Sequence, residues 1–367
     1  MNSVGYHHAR TVGAEAANEL RKALTFYYGS AEVTFPGSGI DVTVPAGAGL
    51  SEQELGETVR HFLRGHREVA VNVYAEHTPT TERSCGLPAD DRIPVAAGTY
   101  LHGPEWRAAM EHTRTLVREG VAARFDAPQL TGSAQIPRDV LVRAGYYQKF
   151  PNLVNSVGRI RPDYWDGVSV SQLRPGQTEA LSSYYVPSEM VLNPVTCYHV
   201  YANARTLIDR HGGEDGGLFG IEGPVFRNES HNHGATRLAE FTMFELVRLG
   251  GTEQVQETYE RLLESFTGFF ASLDVPHRIV SASDAFFGND PSITRDAQLL
   301  NGSKCEVRIP LADGELSVAS VNLHGEVFAD SFGLRDLGVD ATCCAGIGLD
   351  RLAYALKSYG LLPAATS

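Results

Sequence analysis

Apolar residues recur at helical spacing over residues 18–28 and again over 51–67 (SEQELGETVRHFLRGHR), where Ser51 stands ahead of the run as an N-cap. Two β-branched stretches, AEVTFPGSGIDVTVP (31–45) and EVAVNVYAEH (68–77), read as strands. Together these segments predict a small α+β N-terminal domain over residues 1–100 and a larger domain over 101–367. A helix over 104–119 (PEWRAAMEHTRTLVRE), with Pro104 in its first turn, leads into the second part.

From about residue 135 the pattern turns to strands with long connections. VFRNES (225–230), LAEFTMFELVRLG (238–250), CEVRIPL (305–311), ELSVASVNLHGEVF (315–328) and the run before GIGLDR are strand-rich, with helices at 252–273 and 349–358. Many strands with few covering helices predict an α+β fold, an antiparallel sheet flanked by helices, rather than a βαβ array. Neither GxGxxG nor GxxxxGK[ST] occurs, so no Rossmann or P-loop nucleotide site is expected.

Composition narrows the class. The 367 residues, 43% of them hydrophobic, suffice for two buried cores. The segment after Met1 has no apolar run suited to a signal peptide, and no stretch reaches the roughly 18 consecutive apolar residues of a membrane span. The expectation is a soluble, cytoplasmic protein with no membrane contact. Five cysteines, an odd number, argue against a disulfide framework and for thiols that are buried, metal-bound or reactive. The net charge of −13 lacks the basic footprint of a nucleic-acid binder.

Two segments carry candidate chemistry. One is Phe226-Arg227-Asn228-Glu229, then a loop, then Arg237-Leu-Ala-Glu-Phe241. The other is Gly346-Ile-Gly348-Leu-Asp350-Arg351 at a strand-to-helix junction. Arginine suits phosphate oxygens because its planar fork stays charged and binds bidentately, and glycines let backbone approach a nucleotide closely. Between the segments lie Lys304-Cys305-Glu306-Val-Arg308 and Ser317-Val-Ala-Ser320-Val-Asn322. Cys197, Glu245 and Cys344 are too widely spaced for a zinc finger and must converge from different elements. Three protein ligands with a fourth position open is the arrangement of a functional zinc.

These segments resemble motifs 2 and 3 of class II aminoacyl-tRNA synthetases, with Asp350 in place of the commoner Glu. The resemblance implies that Arg227 holds the α-phosphate and the substrate carboxylate, that Glu229 reads the adenine amino group, and that Phe241 stacks on adenine. It further gives Arg237 and Arg351 the γ-phosphate, and Glu306, Ser320 and Asn322 the Mg²⁺ of ATP. Cys197, Glu245 and Cys344 match the zinc ligands of atypical seryl-tRNA synthetases and of their shorter relatives, the amino acid:[carrier protein] ligases. In that family zinc takes the free α-amino group of the substrate. Cys343 could exchange roles with Cys344; Cys85 and Cys305 read as structural, and His231 and His233 as facing the acceptor or solvent. The likeness covers roughly 104–360, including Gly145-Tyr-Tyr-Gln-Lys-Phe-Pro151, Ser283-Asp-Ala-Phe-Phe-Gly288 and Asn322-Leu-His324.

The implied enzyme activates a small amino acid (glycine, alanine or serine) with ATP and passes it to the phosphopantetheine thiol of a carrier protein. Two alternatives stand beside it: an atypical seryl-type tRNA synthetase, and a non-catalytic paralogue that binds an amino acid or nucleotide. The acidic balance and the want of a basic tRNA-binding module favour the carrier over tRNA; the N-terminal 100 residues, longer than those ligases have, speak against it. Retention of Arg227, Arg237 and Arg351 disfavours the paralogue. The resemblance also implies a homodimer, with 104–126 as the candidate motif 1.

Overall fold

The computed structural model describes residues 2–7, 12–13, 16–17, 20–21, 24, 32–37, 39–44, 50–63, 71–88, 90–213, 216–228, 236–284, 298–299, 301–312 and 314–362. The predicted helix at 18–28, the end of that at 51–67, Glu229, His231, His233 and residues 285–288 fall wholly or largely outside them.

Strands β1 (Asn2–His7), β2 (Glu32–Thr34) and β3 (Gly39–Val44) form an antiparallel sheet of order β1-β3-β2. Helix Glu52–Leu63 lies beside it, and Val33, Ile40, Val42 and Val44 share a core with Leu20, Leu24, Leu55 and Val59. Ser51 does start this helix. Its Oγ accepts from the Glu54 N–H at 3.2 Å while its own N–H donates to the Glu54 carboxylate at 2.9 Å, a reciprocal capping box.

The larger sheet draws strands from most of the chain. In chain order the remaining strands are β4 (Val73–His77), β5 (Ile93–Ala96) and β6 (Thr99–Leu101), which form a separate hairpin, and β7 (Gln129–Thr131). Next come β8 (Gln135–Pro137), β9 (Ser156–Ile160) and β10 (Tyr185–Leu192), which pair as a separate three-stranded sheet. Then follow β11 (Gly217–Phe226), β12 (Glu240–Gly250), β13 (His277–Ser281), β14 (Lys304–Leu311), β15 (Gly314–Gly325) and β16 (Ala341–Gly348). The eight-stranded order is β4-β13-β14-β15-β16-β12-β11-β7, antiparallel throughout except for β7 beside β11.

One face of this sheet packs under helices Pro104–Gly120, Thr252–Ser272 and Leu349–Ser358. Trp106, Leu262, Phe266, Phe269, Phe270 and Leu352 meet Phe244, Leu246, Val307, Val321 and Ile347 there. The helix Thr252–Ser272 buries Val255, Tyr259, Leu262, Phe266, Phe269 and Phe270, the stripe expected of a 3.6-residue period. The second face carries another core, built on Cys197, Tyr198, Tyr201, Phe219, Val247, Phe328 and Cys344. Strand β16 is buried along its whole length because both faces are covered, which explains its unbroken ATCCAGIG run.

Three boundaries differ from expectation. The strand expected at 225–230 starts earlier and ends at Phe226. The strand expected over 315–328 ends at Gly325, whose positive φ of 56° turns the chain into the helix Val327–Ser331. The division expected at residue 100 meets a different arrangement. Strand β4 pairs with β13 of the large sheet, the Gly86 N–H donates to the Ser358 carbonyl at 3.0 Å, and the Arg92 guanidinium stacks 3.8 Å over Trp106. Strand β4, Gly86 and Arg92 therefore pack with the larger body, the first two through partners 200 or more residues away in sequence that no local pattern reveals.

Candidate active site

Directly opposed residues of antiparallel strands project to the same face, as do residues two apart. The register of the four central strands therefore sets out the site in rows. Glu306 on β14 opposes Ser320 on β15, Ser320 opposes Gly346 on β16, and Gly346 opposes Glu245 on β12. In the next row Lys304 opposes Asn322, and Asn322 opposes Cys344. These side chains share one face, and they line a cavity of about 460 Å³ together with Arg227, Phe241, Arg351 and Cys197.

Cys197 reaches this floor from the start of helix Cys197–Ala202. One ligand atom from each of Cys197, Glu245 and Cys344 falls within a group spanning no more than 4.8 Å, and all three residues are buried. Tetrahedral zinc with Zn–S of about 2.3 Å separates its ligands by roughly 3.8 Å, so two thiols and a carboxylate at this spacing fit that ion. Glu245 is held in place: its carboxylate accepts from the Thr196 hydroxyl and from the Cys197 N–H at 2.6 Å. Burial, helped by the charge on Cys344, pushes the Glu245 carboxyl up to about 8.

Cys344 is the thiol poised to ionise. It titrates well below the ordinary thiol value because Cys197 hydrogen-bonds to it, with His324 and Asn322 adding to that against the cost of burial. His324 Nε2 lies 3.3 Å from its Sγ, and Asn322 Nδ2 lies 3.7 Å away. Burial and the contact with Cys344 push Cys197 the other way. Cys343, adjacent in sequence, points to the opposite face, where its Sγ meets the Val255 carbonyl at 3.6 Å in the helix-side core.

The nucleotide-type residues line the same cavity. Arg227 Nε donates to the Pro194 carbonyl at 3.1 Å, and its guanidinium stands 5.3 Å from the centre of the Phe241 ring. Arg351 is anchored by the carbonyls of Thr236 at 3.0 Å and Ser317 at 3.2 Å. Asp350, the departure from the motif, is buried and accepts from the Thr242 N–H at 2.7 Å, fixing the start of β12 between Phe241 and Met243. Glu306 is flanked by Arg308 at 3.1 Å and Lys304 at 3.4 Å, and Asn322 Nδ2 donates to Ser320 Oγ at 3.2 Å. Arg237 is described but does not line the cavity, and Glu229 lies outside the described residues.

No family model matches the chain. Curated proteins do. Amino acid–[acyl-carrier-protein] ligase 1 of Bradyrhizobium diazoefficiens is 31% identical over 270 residues, 71% of this chain and 79% of the relative. The chain belongs to the amino acid–[acyl-carrier-protein] ligase family. The type-2 serine–tRNA ligase of Methanopyrus kandleri is 23% identical over 273 residues, 69% of this chain and 52% of that protein. Among solved structures, the M. kandleri SerRS in complex with A. aeolicus tRNASec matches with a TM-score of 0.63 at 18% identity, covering 98% of this chain and 75% of that one. The fold of the ligase is thus that of class II tRNA synthetases.

The ligase site also contains groups that sequence reasoning left without a role. Asp284, Gln298 and Lys304 form a linked polar wall of the cavity, Thr196 braces Glu245, and Tyr146, Lys149 and Phe150 face the sheet from the far side. Lysine scarcity was the available signal: the chain has four, and Lys149 and Lys304 both line this cavity.

Proposed function

We propose that this chain condenses a small amino acid with ATP to an aminoacyl-adenylate and transfers it to the phosphopantetheine thiol of a carrier protein. The observation that carries this reading is the shared floor of one cavity. A soft-donor trio of Cys197, Glu245 and Cys344 stands beside the oxygen donors Glu306 and Ser320 and the anchored cations Arg227 and Arg351.

Cys197, Glu245 and Cys344 would hold zinc, which would supply a Lewis-acid partner for an unprotonated α-amine and so favour free α-amino acids. Glu306 and Ser320, with Asn322 beside them, would supply protein oxygen donors for the Mg²⁺ of ATP. Arg227, fixed by Pro194 and stacked near Phe241, then meets the substrate carboxylate and the α-phosphate together. The carboxylate oxygen bonds to the α-phosphorus as pyrophosphate leaves, and Arg227 and Arg351 neutralise the charge that develops. No side chain need act as nucleophile. In the second step the carrier thiolate attacks the carbonyl carbon of the mixed anhydride and AMP departs.

A cytoplasmic homodimer is part of this reading; five free thiols suit a reducing compartment, and no described helix is long and apolar enough to cross a membrane. Amino-acid-dependent exchange of pyrophosphate into ATP tests the first step. The reading expects exchange that needs zinc, and exchange untouched by thorough metal removal would count against it.

A further inference from the structure

The wall of the cavity beyond the metal trio is polar and braced. Asp284 Oδ2 accepts from Gln298 Nε2 at 3.0 Å, its backbone N–H donates to Gln298 Oε1 at 2.8 Å, and Oδ1 accepts from the Lys304 ammonium. Lys304 is itself buried and bound to Glu306, so its charge is fixed. Burial alone would raise the Asp284 carboxyl, yet Lys304 and Gln298 hold it below the ordinary carboxylate range, with Arg227 contributing. An ionised carboxylate offers about four acceptor sites, of which the described residues Gln298 and Lys304 occupy two. It is a poor place to put an apolar group and a good place to put a donor.

Position matters as much as charge. Lys304 lies in the row of Asn322 and Cys344, about 10 Å from Cys344 across two strand spacings. Asp284 lines the same cavity as Arg227, Cys197 and Tyr198, the neighbour of Cys197 on its helix. An amino acid with its amine at the trio and its carboxylate at Arg227 is thus bounded on a further side by Asp284.

We propose that Asp284, held by Lys304 and Gln298, is a specificity-determining acceptor for a hydrogen-bond donor on the substrate side chain. The preferred substrate is then a short amino acid ending in a hydroxyl or amine, rather than glycine or alanine. This rests on the adenylate-forming reading above. Physically, a site built to bond a substrate hydroxyl loses that bond when the analogue lacks it and sets a methyl against a carboxylate, so it discriminates more strongly than a methylene-sized pocket.

The test is pyrophosphate exchange with L-serine and L-2-aminobutyrate, which differ by a hydroxyl in place of a methyl, alongside alanine, glycine and 2,3-diaminopropionate. In the wild type, kcat/KM for serine should exceed that for 2-aminobutyrate by at least ~10²-fold, and Asp284→Ala should bring the ratio within about 3-fold of unity. A wild-type ratio near unity overturns the proposal, as does an Asp284→Ala or Asp284→Asn enzyme that loses all substrates in parallel and keeps the ratio. Should neither variant fold, the wild-type ratio alone decides. Exchange with none of the amino acids would defeat the activation reading itself, a result distinct from exchange without preference.

Discussion

Gly346 stands directly across from Glu245 in the pairing of β16 with β12, and a methyl group on it would come within 3.2 Å of the Glu245 Cγ and 3.4 Å of its Oε1. The glycine-rich strand end thus makes room for a buried carboxylate as well as for a nucleotide. Gly346→Ala should displace that carboxylate from Thr196 and Cys197 and raise the KM for the amino acid by about tenfold, the order expected when a ligand's support is disturbed. Steady-state exchange kinetics read this; an unchanged KM would mean that Glu245 has slack the geometry does not suggest.

The two adjacent cysteines should part company in a metal assay. His324→Ala removes the donor 3.3 Å from Cys344 Sγ and should weaken zinc binding about 10–100-fold. Cys343→Ser, on the opposite face of β16, should leave it untouched. Competition against a chromophoric chelator measures both, and equal losses would place Cys343 at the metal.

Arg227 separates chemistry from metal loading. Arg227→Ala should slow adenylate formation about 10²–10³-fold, the cost of removing a preorganised charge, while zinc stoichiometry stays at that of the wild type. Metal analysis of the same preparation used for exchange kinetics decides it.

Asp350 offers a pH signature. Burial raises its carboxyl above the ordinary value of 3.8. The folded state then holds the proton more tightly than the unfolded chain. The group's stabilising contribution is therefore complete below about pH 3.8 and is lost as pH rises through the higher folded value. Asp350→Asn keeps an acceptor for the Thr242 N–H and never ionises. Its stability relative to wild type should grow as pH climbs from about 4 toward 7. Chemical-denaturant curves at both pH values test this, and parallel shifts would argue against a raised carboxyl.

Much of the scaffold was legible because its signals are local. The stripe of Val255, Leu262, Phe266 and Phe269 marked the helix Thr252–Ser272 to within a residue, and the unbroken apolar run marked β16. The small sheet β8-β10-β9 escaped notice because β8 and β9 are short and β10 is exposed at alternate positions over most of its length. The edge pairing of β4 with β13 depends on a partner two hundred residues away. In the site, motif spacing pointed to Arg227, Phe241 and Arg351, which the fold brings to one cavity. The trio Cys197, Glu245 and Cys344 was named by resemblance, while its convergence rests on the register of β12 with β16 and on the helix Cys197–Ala202, which local spacing does not contain. Asp284 stood in a run that shared the likeness but suggested no role, because its ion pair with Lys304 joins a loop to a strand twenty residues away.

Intact-protein mass spectrometry tests the central claim most directly, with the enzyme, ATP, Mg²⁺, Zn²⁺, an amino-acid mixture and a pantetheinylated carrier protein, and bulk tRNA assayed in parallel. The account predicts a mass gain of one aminoacyl group on the carrier, reversed by hydroxylamine as a thioester is, with tRNA left uncharged. Charged tRNA beside an unmodified carrier would contradict it.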